Sequence, residues 1–275
     1  MSGDVYSWQP GDAPLLISIP HDGREIPKDI AARMTEAGRA IPDTDWHVRR
    51  LYEFAAGTGA SVLAANYSRY VVDLNRSADD TALYPGQVST GLCPEQTFAG
   101  EPIYADGAGA DSAEVGRRVE TYWRPYHVRI EEALAKIKAE HGFALLWDAH
   151  SIRGEVPRLF EGTLPELNFG TNGGKSCPDE ILRPVLAAAM QLPYPAVANQ
   201  RFKGGYITRH YGRPEESVYA LQLEIAQRSY MDESTLRYDE ARAGELAEAI
   251  KGLLTLFRYA AVLLDSRRML DEDDG

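Results

Sequence analysis

Short apolar runs bounded by turn residues constrain this chain more than any other feature. Leu15–Pro20, Phe143–Ala149 and Val218–Ile225 are too short for typical helices and read as buried strands. The segments between them carry helical periodicity. Pro27 opens a helix through Met34, and Trp46, Val48, Leu51, Tyr52 and Ala55 recur at helical spacing over Asp45–Ala56, where Gly57 and Gly59 supply a stop. A long helix is expected over Ser112–Glu140 with a bend at Pro125, another over 179–190, and a last one over 238–264 with Leu246, Ile250, Leu253, Leu254 and Phe257 on one face. Ser61–Ala65, Tyr70–Leu74 and Ala196–Asn199 add strands, with short elements near Arg158–Phe160 and Leu167–Phe169. Strands alternating with helices predict an α/β fold, a mixed, mainly parallel sheet covered on both faces. A single domain spanning 1–275 is the expectation at this length, with residues 77–109, rich in Gly and Pro, as a substrate lid loop and 265–275 as a frayed acidic tail.

Charge narrows the partners. A formal net charge of −12 argues against nucleic acid and anionic membranes, and an acidic substrate would have to be captured by local arginines. No apolar run approaches the roughly 20 residues that cross a bilayer, and the polar, acidic start MSGDVYSWQPGD lacks the pattern of a secretory signal, so a cytoplasmic location is expected. Cys93 and Cys177 are each followed by proline and lack zinc-knuckle or redox spacing, which argues against a disulfide framework.

The chemistry gathers at strand ends. His21 follows the first apolar run and His150 the second, and in an open α/β sheet ligands bind beyond the carboxyl ends of the strands. Two imidazoles delivered there can share one metal ion, with Asp148, on the same strand face as His150, orienting that ring. The segment Pro42-Asp43-Thr44-Asp45 offers one aspartate more than a helix cap requires. Asp45 is the favoured ligand and Asp43 the alternative. Two histidines and a carboxylate leave a position open for water and favour one zinc ion, while also accepting iron, cobalt or manganese. Glu224 lies inside an apolar strand that also holds Gln222; an ionisable group there is costly without a task, which makes it the candidate proton shuttle. Asn75-Arg76 pairs a neutral donor with a planar fork suited to a carboxylate. Residues 203–212 place Tyr206, Arg209, His210 and Tyr211 between glycines, a candidate substrate loop.

Taken in order, SIPHDG, DTDWHV, SRYVVDLNR, GLCPEQTF, LLWDAHSIRGEVPRLFEG, NFGTNGG, GGYITRHYG and LQLEI resemble the N-formylglutamate deformylase (amidohydrolase) family over about residues 15 to 225. The resemblance implies hydrolysis of N-formyl-L-glutamate to formate and L-glutamate, the last step of one bacterial histidine-degradation route. It also implies a phosphorylase/hydrolase-like three-layer fold shared with zinc carboxypeptidases. Zinc would be held by His21, Asp45 and His150, and Glu224 matches a catalytic glutamate of the more distant cell-wall amidases. Asn75-Arg76 is similar to the pair with which carboxypeptidases hold a terminal carboxylate. The sequence departs from their HxxE motif, since Arg24 stands three residues after His21. In this reading Arg76 takes one substrate carboxylate and Arg209, Arg153 or Arg69 the other. Thr171 of the Asn168–Thr171 loop adds a substrate contact, and His210 hydrogen-bonds the developing oxyanion. The alternatives are an amidohydrolase or carboxypeptidase-like enzyme for another N-acylated amino acid or peptide, and a non-catalytic metal-binding protein of the same fold.

Overall fold

A computed structural model describes residues 4–81 and 90–273. Seven strands form one sheet in the order β1-β3-β2-β4-β7-β5-β6, where β1 is Tyr6–Gln9, β2 Leu15–Ile19, β3 Ser61–Ala65, β4 Ala144–Ile152, β5 Leu167–Gly170, β6 Ala196–Ala198 and β7 Val218–Ala226. The central four strands, β3, β2, β4 and β7, are parallel; β1 and β5 pair antiparallel at either side, and β6 runs parallel to β5. The mixed, mainly parallel sheet expected from the alternation of elements is therefore present.

Helices cover both faces. The short helices α1 (Lys28–Ala31), α2 (Glu36–Arg39) and α3 (Val48–Leu51) precede β3, while α4 (Ser112–Arg118) and α5 (Arg124–His141) precede β4. They are followed by α6 (Asp179–Ala189), α7 (Tyr206–Tyr211) and α8 (Glu240–Asp273). On one face Leu15, Ile17, Leu145, Trp147, Tyr219, Leu221 and Leu223 pack against Val48 and Leu51 of α3, Ile181 and Val185 of α6, and Leu246, Ile250 and Phe257 of α8. On the other, Leu16, Leu63, Leu146 and Ala220 meet Tyr126, Ile130 and Leu134 of α5 and Ile207 and Tyr211 of α7. Side chains alternate between the two cores because successive Cβ atoms of a strand point to opposite faces.

Several elements differ from expectation. The helix expected over Asp45–Ala56 begins only at Val48, because His47 stands in the left-handed region at φ 65°, and it continues as 3₁₀ turns from Glu53 to Thr58. Gly59 then ends it at φ 75°, as its glycine predicted. The helix over Pro27–Met34 is reduced to α1. Tyr70–Leu74 forms no strand; its buried Val71, Val72 and Leu74 enter two different hydrophobic clusters from a looped backbone. The long helix at 112–141 contains a π turn at Val119–Trp123, where Arg124 N–H reaches the carbonyl of Val119 just before Pro125, whose ring cannot donate. The last helix runs on to Asp273, since no Gly or Pro interrupts Leu264–Asp273, so the segment expected as a frayed tail is helical as far as it is described. Among the described residues no helix is long and apolar enough to cross a membrane. Both cysteines are free thiols.

Candidate active site

One face of the sheet changes character along its length. Ala144, Leu146, Val218 and Ala220 are apolar, yet at the carboxyl ends of the same strands and on the same face stand Asp148, His150, Gln222 and Glu224, all buried. Strand register puts Ser18, Asp148 and Gln222 in one row and His150, Glu224 and Asn168 in the next. His150 and Glu224 are direct partners across β4 and β7, so their side chains emerge side by side.

His21, just beyond β2, completes a group with Asp45 and His150 whose candidate ligand atoms all lie within 4.8 Å of one another. Asp45 Oδ2 is 3.0 Å from His150 Nδ1 and 3.7 Å from His21 Nδ1. A tetrahedral zinc ion with bonds near 2.0–2.1 Å sets its ligands about 3.3 Å apart, so these separations fit one. Asp45 is held in place by its own backbone N–H, which donates to the His21 carbonyl (3.0 Å), while its Oδ2 accepts from Ser151 N–H (3.1 Å).

The far nitrogens of both rings meet other groups. His21 Nε2 lies 2.8 Å from Asp73 Oδ1, and the same carboxylate accepts from Arg69 Nη2 (2.6 Å) and Asn75 N–H (2.9 Å). Burial opposes charge on Asp73, but Arg69 and His21 outweigh it and hold the carboxyl well below its usual range. His150 Nε2 lies 2.9 Å from Asn75 Nδ2; Asp148 Oδ1 is 3.1 Å from that nitrogen but lacks hydrogen-bond alignment with it. Asn75 cannot turn away, because its Oδ1 accepts from Ile207 N–H (2.8 Å) and a Cβ on Gly205 would come within 2.2 Å of its Nδ2. Asp45 and Asp73 flank Arg69, Asp148 and Glu224 stand beside His150, and the misaligned Asp148 oxygen has no hydrogen bond. A divalent cation at the two Nδ1 atoms would meet these buried carboxyl groups with positive charge.

Glu224 lines the same cavity. Burial pushes its carboxyl up to about 8, against the pull of His150, and a cation beside it would draw it down again. The wall also includes Arg69, Asn75, Arg76, Thr90, Phe98, Arg201, Phe202 and Gln222.

The two aspartates of the DTD segment separate completely. Asp43 faces away from the histidines and accepts from the Tyr70 hydroxyl (2.5 Å) and Phe98 N–H (2.7 Å), which ties the 90–104 loop to the body. Within that loop Leu92, Thr97, Ile103 and Tyr104 are buried, and residues 82–89 of the expected lid lie outside the described residues. Among the expected substrate contacts, Asn75, Arg76 and Arg69 are on the cavity wall, Arg69 bound to Asp73 and 3.7 Å from Asp45. Arg153 instead borders a neighbouring hollow with Asp43, and Arg209 Nε donates to the Gly204 carbonyl (2.7 Å). Thr171 Oγ1 accepts from Gly174 N–H in its own turn and from Asn199 Nδ2 just beyond β6. His210 is exposed and stacked on Tyr206 at 4.8 Å; in so short a helix Ile207, Thr208 and Tyr211 face inward and His210 faces out.

Asp73 and Arg201 were not among the expected site residues. The first was hidden because Tyr70–Leu74 reads as a strand, in which an aspartate between valine and leucine suggests only an edge. Changing Asp73 to Asn is expected to weaken metal affinity roughly 10–100-fold, read by chelator competition, because an amide cannot replace the anion behind His21. Unaltered affinity would reduce Asp73 to a structural ion pair.

The model of the family described as N-formylglutamate amidohydrolase matches residues 13–231. The chain belongs to the N-formylglutamate amidohydrolase family. Within this family it is 51% identical to an N-formylglutamate deformylase of Pseudomonas aeruginosa over 91% of this chain and 93% of that one. It is 46% identical to one of Pseudomonas putida, covering 91% and 94%. The fold is similar to the crystal structure of N-formylglutamate amidohydrolase from Ralstonia eutropha JMP134, with a TM-score of 0.74, 26% identity and 95% and 97% of the two chains covered. It also resembles a gene product of Agrobacterium tumefaciens at a TM-score of 0.69 and 18% identity, covering 92% and 96%.

Proposed function

We propose that this chain hydrolyses the formamide bond of N-formyl-L-glutamate, giving formate and L-glutamate, with one zinc ion held by His21, Asp45 and His150. The observation that carries the reading is the convergence of those three groups beside Glu224 in one cavity of a family member whose relatives at 46–51% identity are named N-formylglutamate deformylases. Zinc, when bound, supplies the acidity that activates a water and polarises the formyl carbonyl.

The protein's own groups do the rest. Glu224 accepts the proton of the attacking water and passes it to the amide nitrogen, so that the leaving amine departs neutral. Asn75 steadies His150, while Asp73 and Arg69 steady His21 and Asp45. A formyl group offers little surface to hold, so binding energy must come from the carboxylates of the glutamate portion and be used to orient the scissile bond. Arg76 is the residue assigned to the α-carboxylate. Phe98 and Phe202 on the wall limit water around it.

We read the whole chain, 1–275, as one amidohydrolase domain of the three-layer, phosphorylase/hydrolase-like kind related to zinc carboxypeptidases. We further propose that it acts in the cytoplasm, at the end of a histidine-degradation route. The test is formate release from N-formyl-L-glutamate by metal-analysed protein, with and without chelator, beside N-acetyl and N-succinyl amino acids. Release that stops on chelation and returns with zinc is expected. Hydrolysis confined to the other acyl groups would replace the substrate, and activity indifferent to chelation would remove the metal.

A further inference from the structure

Three arginines line the candidate catalytic cavity, Arg69, Arg76 and Arg201. Arg69 already serves the protein: Nη2 is 2.6 Å from Asp73 and Nη1 3.7 Å from Asp45, and a substrate carboxylate could engage it only by competing with both. The other two arginines of the wall are Arg76 and Arg201.

The two stand at different depths. Arg76 follows Asn75, whose side chain touches His150, and its backbone carbonyl is fixed by Trp123 Nε1 (2.9 Å), so it issues from the inner wall beside the histidines. Arg201 lies in the segment between β6 and α7. Its Nη2 donates to the Leu159 carbonyl (2.5 Å), and its guanidinium carbon lies 5.9 Å from the ring centre of Phe160 and 5.5 Å from that of Phe202. These contacts fix the plane of the fork. Arg201 also borders an outer hollow with Leu159, Phe160 and Glu161, which puts it at the mouth of the cavity.

An N-acylated glutamate has the same gradation. Its α-carboxylate sits on the carbon that bears the amide nitrogen, close to the bond being cut, and its side-chain carboxylate lies two methylenes further out. We propose that Arg201 binds the side-chain carboxylate and is the residue that selects a dicarboxylic N-formyl amino acid over a neutral one. This assignment rests on the proposed hydrolysis of N-formylglutamate. It replaces Arg209 and Arg153, which face other surroundings, and Arg69, which is engaged within the site.

The experiment compares kcat/KM for N-formyl-L-glutamate and N-formyl-L-glutamine, substrates of nearly equal size that differ in the outer charge. Arg201→Ala is expected to lower the glutamate-to-glutamine ratio roughly 10- to 100-fold, chiefly through KM for the glutamate substrate. Arg201→Lys, which keeps a cation on a long stem, should retain a larger part of the ratio than Arg201→Ala. Arg76→Ala should depress both substrates, because both carry the α-carboxylate. A ratio unchanged in Arg201→Ala, with both substrates falling together, would overturn the assignment while leaving the hydrolase reading intact. A wild-type protein that releases no formate from N-formyl-L-glutamate would overturn both.

Discussion

Glu224→Gln is expected to lower turnover of N-formyl-L-glutamate by roughly 10²–10⁴-fold while leaving fold and bound metal in place. Glutamine has the shape of glutamate, so the buried position between His150 on β4 and Asn168 on β5 should accept it without repacking. What disappears is the only wall carboxylate, among the described residues, that is neither in the ligand group nor pairing with Arg69 and His21. An amide can neither take the proton of water nor return it to the leaving nitrogen. Formate release and metal content measured on the same preparation decide the matter. Full turnover in the variant would move the proton shuttle elsewhere, and loss of metal would mean that Glu224 acts through the ligand group.

The second large effect separates the two aspartates of the DTD segment. Asp45→Asn should lose metal affinity by more than the roughly 10–100-fold that an outer partner costs, and turnover should fall with it. Its Oδ2 is the oxygen that both Nδ1 atoms face, and an amide is a far poorer ligand for a divalent ion. Asp43→Asn should keep the metal, because that carboxylate belongs to Tyr70 and the Phe98 backbone. Its expected cost is looser anchoring of the 90–104 loop, seen as faster amide exchange near Phe98. Equal metal loss in the two variants would sink the distinction.

Much of the fold was legible because apolar patterning reports burial. Leu15–Ile19, the 144–149 stretch and Val218–Ile225 are strands for the reason the sequence suggests: their side chains feed cores on both faces. Tyr70–Leu74 misled for the same reason. Val71, Val72 and Leu74 are buried, but a loop can bury them as well as a ladder can, and periodicity does not distinguish the two. The helix expected from Asp45 failed at His47, whose positive φ leaves no local signature in a non-glycine residue.

The site divides along similar lines. Strand-end histidines could be recognised because a polar residue closing an apolar strand is conspicuous, and Glu224 because a charge inside one is costly. His127 shows the limit of that argument: it is as buried as His21 and His150, yet its ring nitrogens face the Leu74 carbonyl and the Tyr211 hydroxyl. His210 and Arg209 could not be placed from sequence, since one turn of helix decides which way each side chain points.

By itself, then, the sequence determined the α/β class, the two histidines, the candidate acid Glu224 and the family they resemble, because those follow from hydrophobic periodicity and from residue types with few inexpensive roles. Only the tertiary structure decided that Asp45 rather than Asp43 joins the histidines, that Asp73 stands behind His21, and that Arg201 rather than Arg153, Arg209 or His210 reaches the cavity. These are questions of direction and distance between segments remote along the chain. They are settled by loop backbone conformation and strand register, to which local composition is nearly blind.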